Sequence, residues 1–200
     1  LISRRVKGLA LLKDTVGNNG LRYSKTGGHE VFLDSRQLEL HLEQLELVNK
    51  LVSRIDPSLK FYHSNNHQGV EGVAGIITND WEGQIHPGHM TAALRRKCLT
   101  LGIDVLTNFD VTSIEQDTNY RINGRSMEIE ASKVIICNNA FAKDLVDLET
   151  TAGRNQVLLT SPLDNLSIHG CYHYDRGYVY FRNVGNRVLI GGGRNIDQAT

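Results

Sequence analysis

The stretch from Lys133 to Leu145 reads KVIICNNAFAKDL. Its apolar run, Val134-Ile135-Ile136-Cys137, is short, rich in β-branched residues and closed by the pair Asn138-Asn139. Such a run predicts a strand buried on both faces, as in a parallel sheet. The residues that follow, Ala140 to Val146, read as the start of a helix. Strand, turn and helix in that order make the unit of an open α/β sheet, and ligands bind outside the carboxyl ends of such strands. The corner Asn138-Asn139-Ala140 is thus a candidate ligand-facing position, where backbone amides near a helix start could approach a phosphate or a ring. It is equally well a plain turn, because asparagine tolerates positive φ better than most non-glycine residues.

Outward from that stretch, the chain alternates helical and strand patterns. Apolar residues at Ile2, Val6, Leu9, Leu12 and Val16 predict a helix that Gly17-Asn18-Asn19-Gly20 ends. Leu21 to Leu33 reads as strand, bent at Gly27-Gly28. Asp34 with Gln37 three residues on marks a helix start, and Leu38, Leu42, Leu45, Val48, Val52 and Ile55 form one face of the helix that follows. Gly69 to Thr78 reads as a strand. Pro87 opens a third helix, with Met90, Ala93, Leu94, Cys98 and Leu101 as its buried stripe and Gly102 just past its end.

Beyond Gly102 the pattern is of short strands. Ile103–Leu106 and Val111–Glu115 are two. Tyr120-Arg121-Ile122 and Met127–Ile129 are joined across Asn123-Gly124, a hairpin signal. After Asp147 come strands at Val157–Thr160, Ile168–Tyr174, Tyr178–Arg182 and Arg187–Gly191, with turns at Asp175-Arg176-Gly177 and Val184-Gly185-Asn186. The last three form an antiparallel meander.

The chain has 200 residues, with 22 basic and 22 acidic side chains. That balance argues against nucleic acid or an anionic membrane surface as its main partner. No apolar run approaches the roughly 20 residues of a membrane span. Cys98, Cys137 and Cys171 are widely spaced, which suits a reducing compartment and a cytoplasmic location. A start at Leu1 and an end at Thr200 suggest a piece cut from a longer protein.

Candidate chemistry is sparse. His63 with His67 and His86 with His89 are spaced like ligand pairs, but no cysteine pair accompanies them, so no metal is expected. Gly191-Gly192-Gly193 lacks the later glycine or lysine of a phosphate loop and reads as a strand end with close backbone packing. Tyr178, Tyr180 and Arg182 alternate onto one face of a strand. Arginine there offers a fork for a carboxylate and tyrosine adds hydroxyls. The alternative is the wet face of a half-exposed sheet. No nucleophile, base or carboxylate pair stands out.

Taken together, Gly83-Gln84-Ile85-His86-Pro87, Gly102-Ile103-Asp104-Val105, Val111-Thr112-Ser113-Ile114 and Val134 to Ala140 resemble the middle of the D-amino acid oxidase family of FAD-dependent oxidoreductases. So do Arg154-Asn155-Gln156, Asp175 to Arg182 and Val188 to Gly192. The resemblance spans Gly69 to Thr200. It implies a mixed α/β fold, part of an FAD-binding domain interleaved with an antiparallel β-sheet substrate domain. Residues 80–147 would belong to the former, residues 1–79 and 148–200 mainly to the latter. It implies that the backbone of Val111 meets the adenine side of FAD and that Asn138, Asn139 and Ala140 border the cofactor. It implies that Tyr180 contacts substrate, with Tyr178 and Arg182 beside it. Asn139 and Asn155 stand where the family usually has glycine, and His86 where it often has aspartate. The family's glycine-rich pyrophosphate motif does not occur in the chain, so the chain by itself is expected not to hold FAD tightly. The activity implied is oxidation of an amine or amino acid to the imine. Alternatives are oxidation of a 2-hydroxy acid or polyol, or a non-catalytic module of the same fold.

Overall fold

Asp34 begins the most clearly capped helix. Its carboxylate accepts a hydrogen bond from the Gln37 N–H at 2.8 Å, satisfying a donor that the helix itself leaves free. In the computed structural model, residues 1–64, 66, 69–150, 153, 155–193 and 195 are described. They form two compact units. One comprises Leu1–Leu101 with Asn155–Ala199, the other Gly102–Arg154.

The first unit is built on a seven-stranded sheet. Its strands are β1 (Gly28–Phe32), β2 (Phe61–Ser64), β3 (Gly75–Asn79) and, after the second unit, β7 (Gln156–Leu159), β8 (Cys171–Tyr174), β9 (Val179–Val184) and β10 (Arg187–Gly192), while β4 to β6 belong to the second unit. The order is β2-β3-β1-β8-β9-β10-β7. The pair β1–β8 is parallel and the remaining pairs are antiparallel. Alternation divides β1 between the two faces. Phe32 points toward the helix α2 (Ser35–Val52) and forms a core with Leu38 and Ile77, joined by Leu42, Leu45 and Phe61. His29 is on the other face with Thr78, Tyr172 and Phe181. The Tyr172 ring stacks on Phe181 at 4.7 Å and lies 4.6 Å from His29.

The helix α1 (Ile2–Leu21) does not stop at Gly17. It kinks there, at φ 74°, resumes, and ends at Arg22 in the left-handed region. The resumed turn carries Leu21, which is fully buried. It also carries Gly20, where a Cβ would come within 3.1 Å of the Ala93 Cβ. A glycine at that point lets α1 approach α3 (Pro87–Thr100) closely. Along α3 the expected stripe is buried at Ala93 and half-buried at Met90, Leu94 and Cys98, but Leu101 is exposed.

The second unit holds a three-stranded antiparallel sheet of β4 (Val111–Gln116), β5 (Tyr120–Gly124) and β6 (Glu128–Ala131). The hairpin expected at Asn123-Gly124 forms two residues later. Asn123 pairs with Glu128, and Gly124 donates its N–H to Met127 O at 3.0 Å. Gly124 stays in the strand, paired with Val111, and the Phe109 ring fills the space a side chain there would need.

Two expected strands are corrected. Ile103–Leu106 is irregular, with Ile103 and Leu106 about half exposed. Val134–Cys137 forms no strand, and Ile135 is 87 % exposed. The reason is the same for both: a strand is defined by a neighbour's ladder of hydrogen bonds, and among the described residues neither segment has one. After Asn138 the chain forms a 3-10 helix, Asn139–Asp144, in place of the longer helix expected.

Among the described residues no helix is long and apolar enough to cross a membrane.

Candidate functional site

The turn that leads into β9 sets up the candidate face. Asp175 and Arg176 both have positive φ, 50° and 57°, and lie in the four-residue loop that joins Tyr174 of β8 to Val179 of β9. Gly177 and Tyr178 then donate to Tyr174 O and Asp175 O. The chain enters β9 with Tyr180 and Arg182 on one face and Val179 and Phe181 on the other. Tyr180 lies opposite Gly191 of β10, and a Cβ at Gly191 would meet the phenol ring at 2.5 Å. Gly193 donates to Tyr178 O at 2.9 Å, and a Cβ on Gly192 would collide with Tyr178 O. The glycine triplet therefore provides close backbone packing beneath the tyrosines, the reading preferred from sequence.

Each polar group on this face is held from outside β9. Asn155 Nδ2 donates to the Tyr180 hydroxyl at 3.1 Å. Arg182 Nη1 donates to Gln84 Oε1 at 3.0 Å and to Ile85 O at 3.4 Å. Gln84 Nε2 donates to Asn183 Oδ1 at 3.0 Å and Thr26 Oγ1 at 3.3 Å. Asn183 Oδ1 also accepts from the Gly170 N–H at 3.2 Å. Arg182 is thus half-buried and fixed through one nitrogen. Its other donors make no hydrogen bond within the described residues, which leaves them for an oxygen anion. Cys171 neighbours Arg182 in the ladder, and burial pushes its thiol above the usual value, against the pull of Arg182.

Gln84 was missed by sequence reasoning. It was visible only as part of Gly83-Gln84-Ile85-His86-Pro87, where nothing local marks it, since its partners lie 58 to 99 residues away. His86, from the same segment, caps α3: its Nδ1 accepts from the His89 N–H at 3.3 Å, and the two rings meet edge-on at 4.6 Å. His67 and Arg154 lie outside the described residues. Among the described residues no three His, Cys, Asp or Glu side chains converge as metal ligands.

The residues expected to border a cofactor all fall in the second unit, whereas Tyr178, Tyr180 and Arg182 belong to the first. Val111 opens β4 opposite Gly124, next to a bulge at Thr112. Asn138 Nδ2 donates to Phe141 O at 3.0 Å, while its Oδ1 is buried without a partner among the described residues. Asn139 has φ 53°, the conformation that a glycine adopts freely and asparagine next most readily. Asn139 therefore holds a backbone conformation that a glycine would also adopt. A buried acceptor without a donor calls for an unseen partner. A dinucleotide rich in hydroxyl and N–H donors fits that requirement.

A family model described as "DAO: FAD dependent oxidoreductase" matches residues 4–200. No curated protein matches. Among solved structures, the chain is similar to L-proline dehydrogenase from P. horikoshii, at 18 % identity and TM-score 0.68, covering 97 % of this chain and 57 % of that one. Glycine oxidase from Geobacillus kaustophilus gives 15 % identity and TM-score 0.69, covering 95 % and 55 %. L-Amino acid deaminase from Proteus myxofaciens gives 16 % and 0.66, covering 89 % and 42 %. The chain spans about half the length of these structures. At such identities the likeness shows the shared mixed α/β fold.

Proposed function

Because the chain belongs to the DAO family of FAD-dependent oxidoreductases, we propose that the whole protein oxidises an amine or amino acid to the corresponding imine. When bound, FAD supplies a two-electron acceptor for a hydride from the carbon bearing the amine. The residues of this chain bind and orient. Asn138, Asn139, Ala140 and the backbone of Val111 hold the cofactor, with the buried Asn138 Oδ1 accepting one of its donors. Arg182 takes the substrate carboxylate on the donors that Gln84 leaves free, and Tyr180, with Tyr178 beside it, adds a hydroxyl. Residues 80–147, apart from Gln84 and Ile85 that anchor Arg182, belong with cofactor binding, and strands β7 to β10 with substrate binding.

The observation that carries the reading is Arg182, held by Gln84 and Ile85 through one nitrogen with the rest of its fork uncommitted. Preorganisation of that kind suits a carboxylate and costs little ordering on binding. The test is product formation by the whole protein. Ammonia and a 2-oxo acid from amino acids are expected. Turnover confined to 2-hydroxy acids or polyols would replace the amine by a hydroxyl donor, and no turnover with any of these would leave a binding module. Loss of the arginine fork costs roughly 1.5–3 kcal/mol, so Arg182→Ala raises KM about 10- to 150-fold.

A further inference from the structure

Between α2 and the sheet of the first unit lies a cavity of about 450 Å³, within the roughly 300–1,000 Å³ of small-molecule sites. Neither Tyr180 nor Arg182 lines it. Its wall is Phe32, Leu45, Phe61 and Ile77, partly the same side chains that make the core under α2. Against that apolar wall stand two half-buried carboxylates, Glu30 and Glu82. They are close together. Glu30 sits on β1, and the Glu82 carboxylate occupies the space above Gly28, two residues earlier on the same face, where a Cβ would collide with it. Residues two apart on a strand are about 7 Å apart.

Glu30 has no hydrogen bond or ion pair to any described residue. Burial, reinforced by Glu82 and opposed by His173 and His41, pushes its carboxyl above the usual value. Two acids side by side with one unpartnered are electrostatically incomplete. The cations of the cavity do not complete them. Arg176 and His41 are exposed, the His41 ring donates its Nδ1–H to Gln37 O at 2.8 Å, and half-buried His173, opposite Glu30 on β8, balances at most one of the two carboxylates. The inner charge of the site is therefore negative and its wall apolar.

We propose that this cavity binds a small amine carrying an apolar substituent, with the ammonium between Glu30 and Glu82 and the substituent against Phe32, Phe61 and Ile77. An ammonium favours the charged form of Glu30 and supplies the missing donors. The aromatic wall adds a favourable face for the cation. The site lies within the first unit and stands apart from the flavin reading, since it needs neither cofactor nor turnover.

The test is calorimetric binding of benzylamine to the full chain, with benzyl alcohol and phenylacetate as uncharged and anionic partners of similar shape. Benzylamine binds saturably, and the other two at least about tenfold more weakly. Glu30→Gln weakens benzylamine by about tenfold or more. Gly28→Ala, which places a methyl where the Glu82 carboxylate lies, does the same and serves if Glu30→Gln fails to fold. Arg121→Ala, on β5 of the second unit, leaves benzylamine binding unchanged. Equal binding of phenylacetate, unchanged affinity in both variants, or no saturable binding of benzylamine would overturn the proposal.

Discussion

Two segments of nearly the same composition meet different fates in the two units. Gly75-Ile76-Ile77-Thr78-Asn79 is a strand buried along its whole length, and Ile76 has no exposed surface. Val134-Ile135-Ile136-Cys137-Asn138 is unpaired and exposed at every second residue, with Ile135 at 87 %. The first lies between β1 and β2 and is hydrogen-bonded on both edges. The second has no ladder partner among the described residues. Local sequence encodes the tendency to extend, and the neighbours decide whether it becomes a strand with a buried side chain.

The largest expected effect follows directly. Ile76→Ala leaves a cavity in a closed core and lowers the unfolding free energy by about 2–5 kcal/mol. Ile135→Ala removes an exposed side chain and stays within about 0.5 kcal/mol. Denaturant titration of both variants measures the contrast, and equal losses would show that the second segment is as enclosed as the first.

A smaller effect is expected at the corner that follows it. Asn139 holds φ 53°, so Asn139→Ala costs about 1–2 kcal/mol of local stability, whereas Asn139→Gly is neutral or stabilising. Hydrogen exchange across Asn139–Asp144 reads the difference. If both variants behave alike, the corner does not need the left-handed conformation.

How far these features could be read in advance depended on the range of the forces involved. The Asp34 cap, Pro87 at a helix start and the Asp175-Arg176-Gly177 turn each depend on residues within a few positions, and each forms where the pattern placed it. Asn123-Gly124 misled because Gly124 pairs with Val111 of β4, and its lack of a side chain serves the Phe109 ring, 15 residues upstream, rather than a turn. Ile103–Leu106 and Val134–Cys137 misled because the strand pattern cannot announce a missing neighbour. The alternation of Tyr180 and Arg182 onto one face was legible, since period two is a local property. Gln84 was not, because its role exists only once β9 is folded beside it.

The smallest effects set two adjacent residues of β1 against each other. Burial holds His29 below its ordinary value of 6.5 and pushes Glu30 above its ordinary 4.5. For His29 the unfolded chain binds more protons, so its contribution is present above pH 6.5 and is lost as pH falls below 6.5 toward the folded value. For Glu30 the folded chain binds more, so its contribution is present below pH 4.5 and is lost as pH rises through the raised folded value. His29→Leu should flatten the acid-side loss and Glu30→Gln the loss on the rising side. Melting temperatures across pH 4 to 8, on the order of the range in which these groups titrate, would reveal the opposite slopes. Slopes of the same sign would contradict the burial assigned to one of them.

Central to the account is the claim that a preorganised Arg182 presents an amino acid to a flavin. Anaerobic addition of amino acids to the purified whole protein tests it most directly, with loss of the oxidised flavin absorbance as the signal. Bleaching by an amino acid or amine is expected, with Arg182→Ala requiring about 10- to 150-fold more substrate for the same effect. A protein that carries no flavin, or a flavin bleached by 2-hydroxy acids and not by amines, or an Arg182→Ala variant with unchanged substrate dependence, would contradict it.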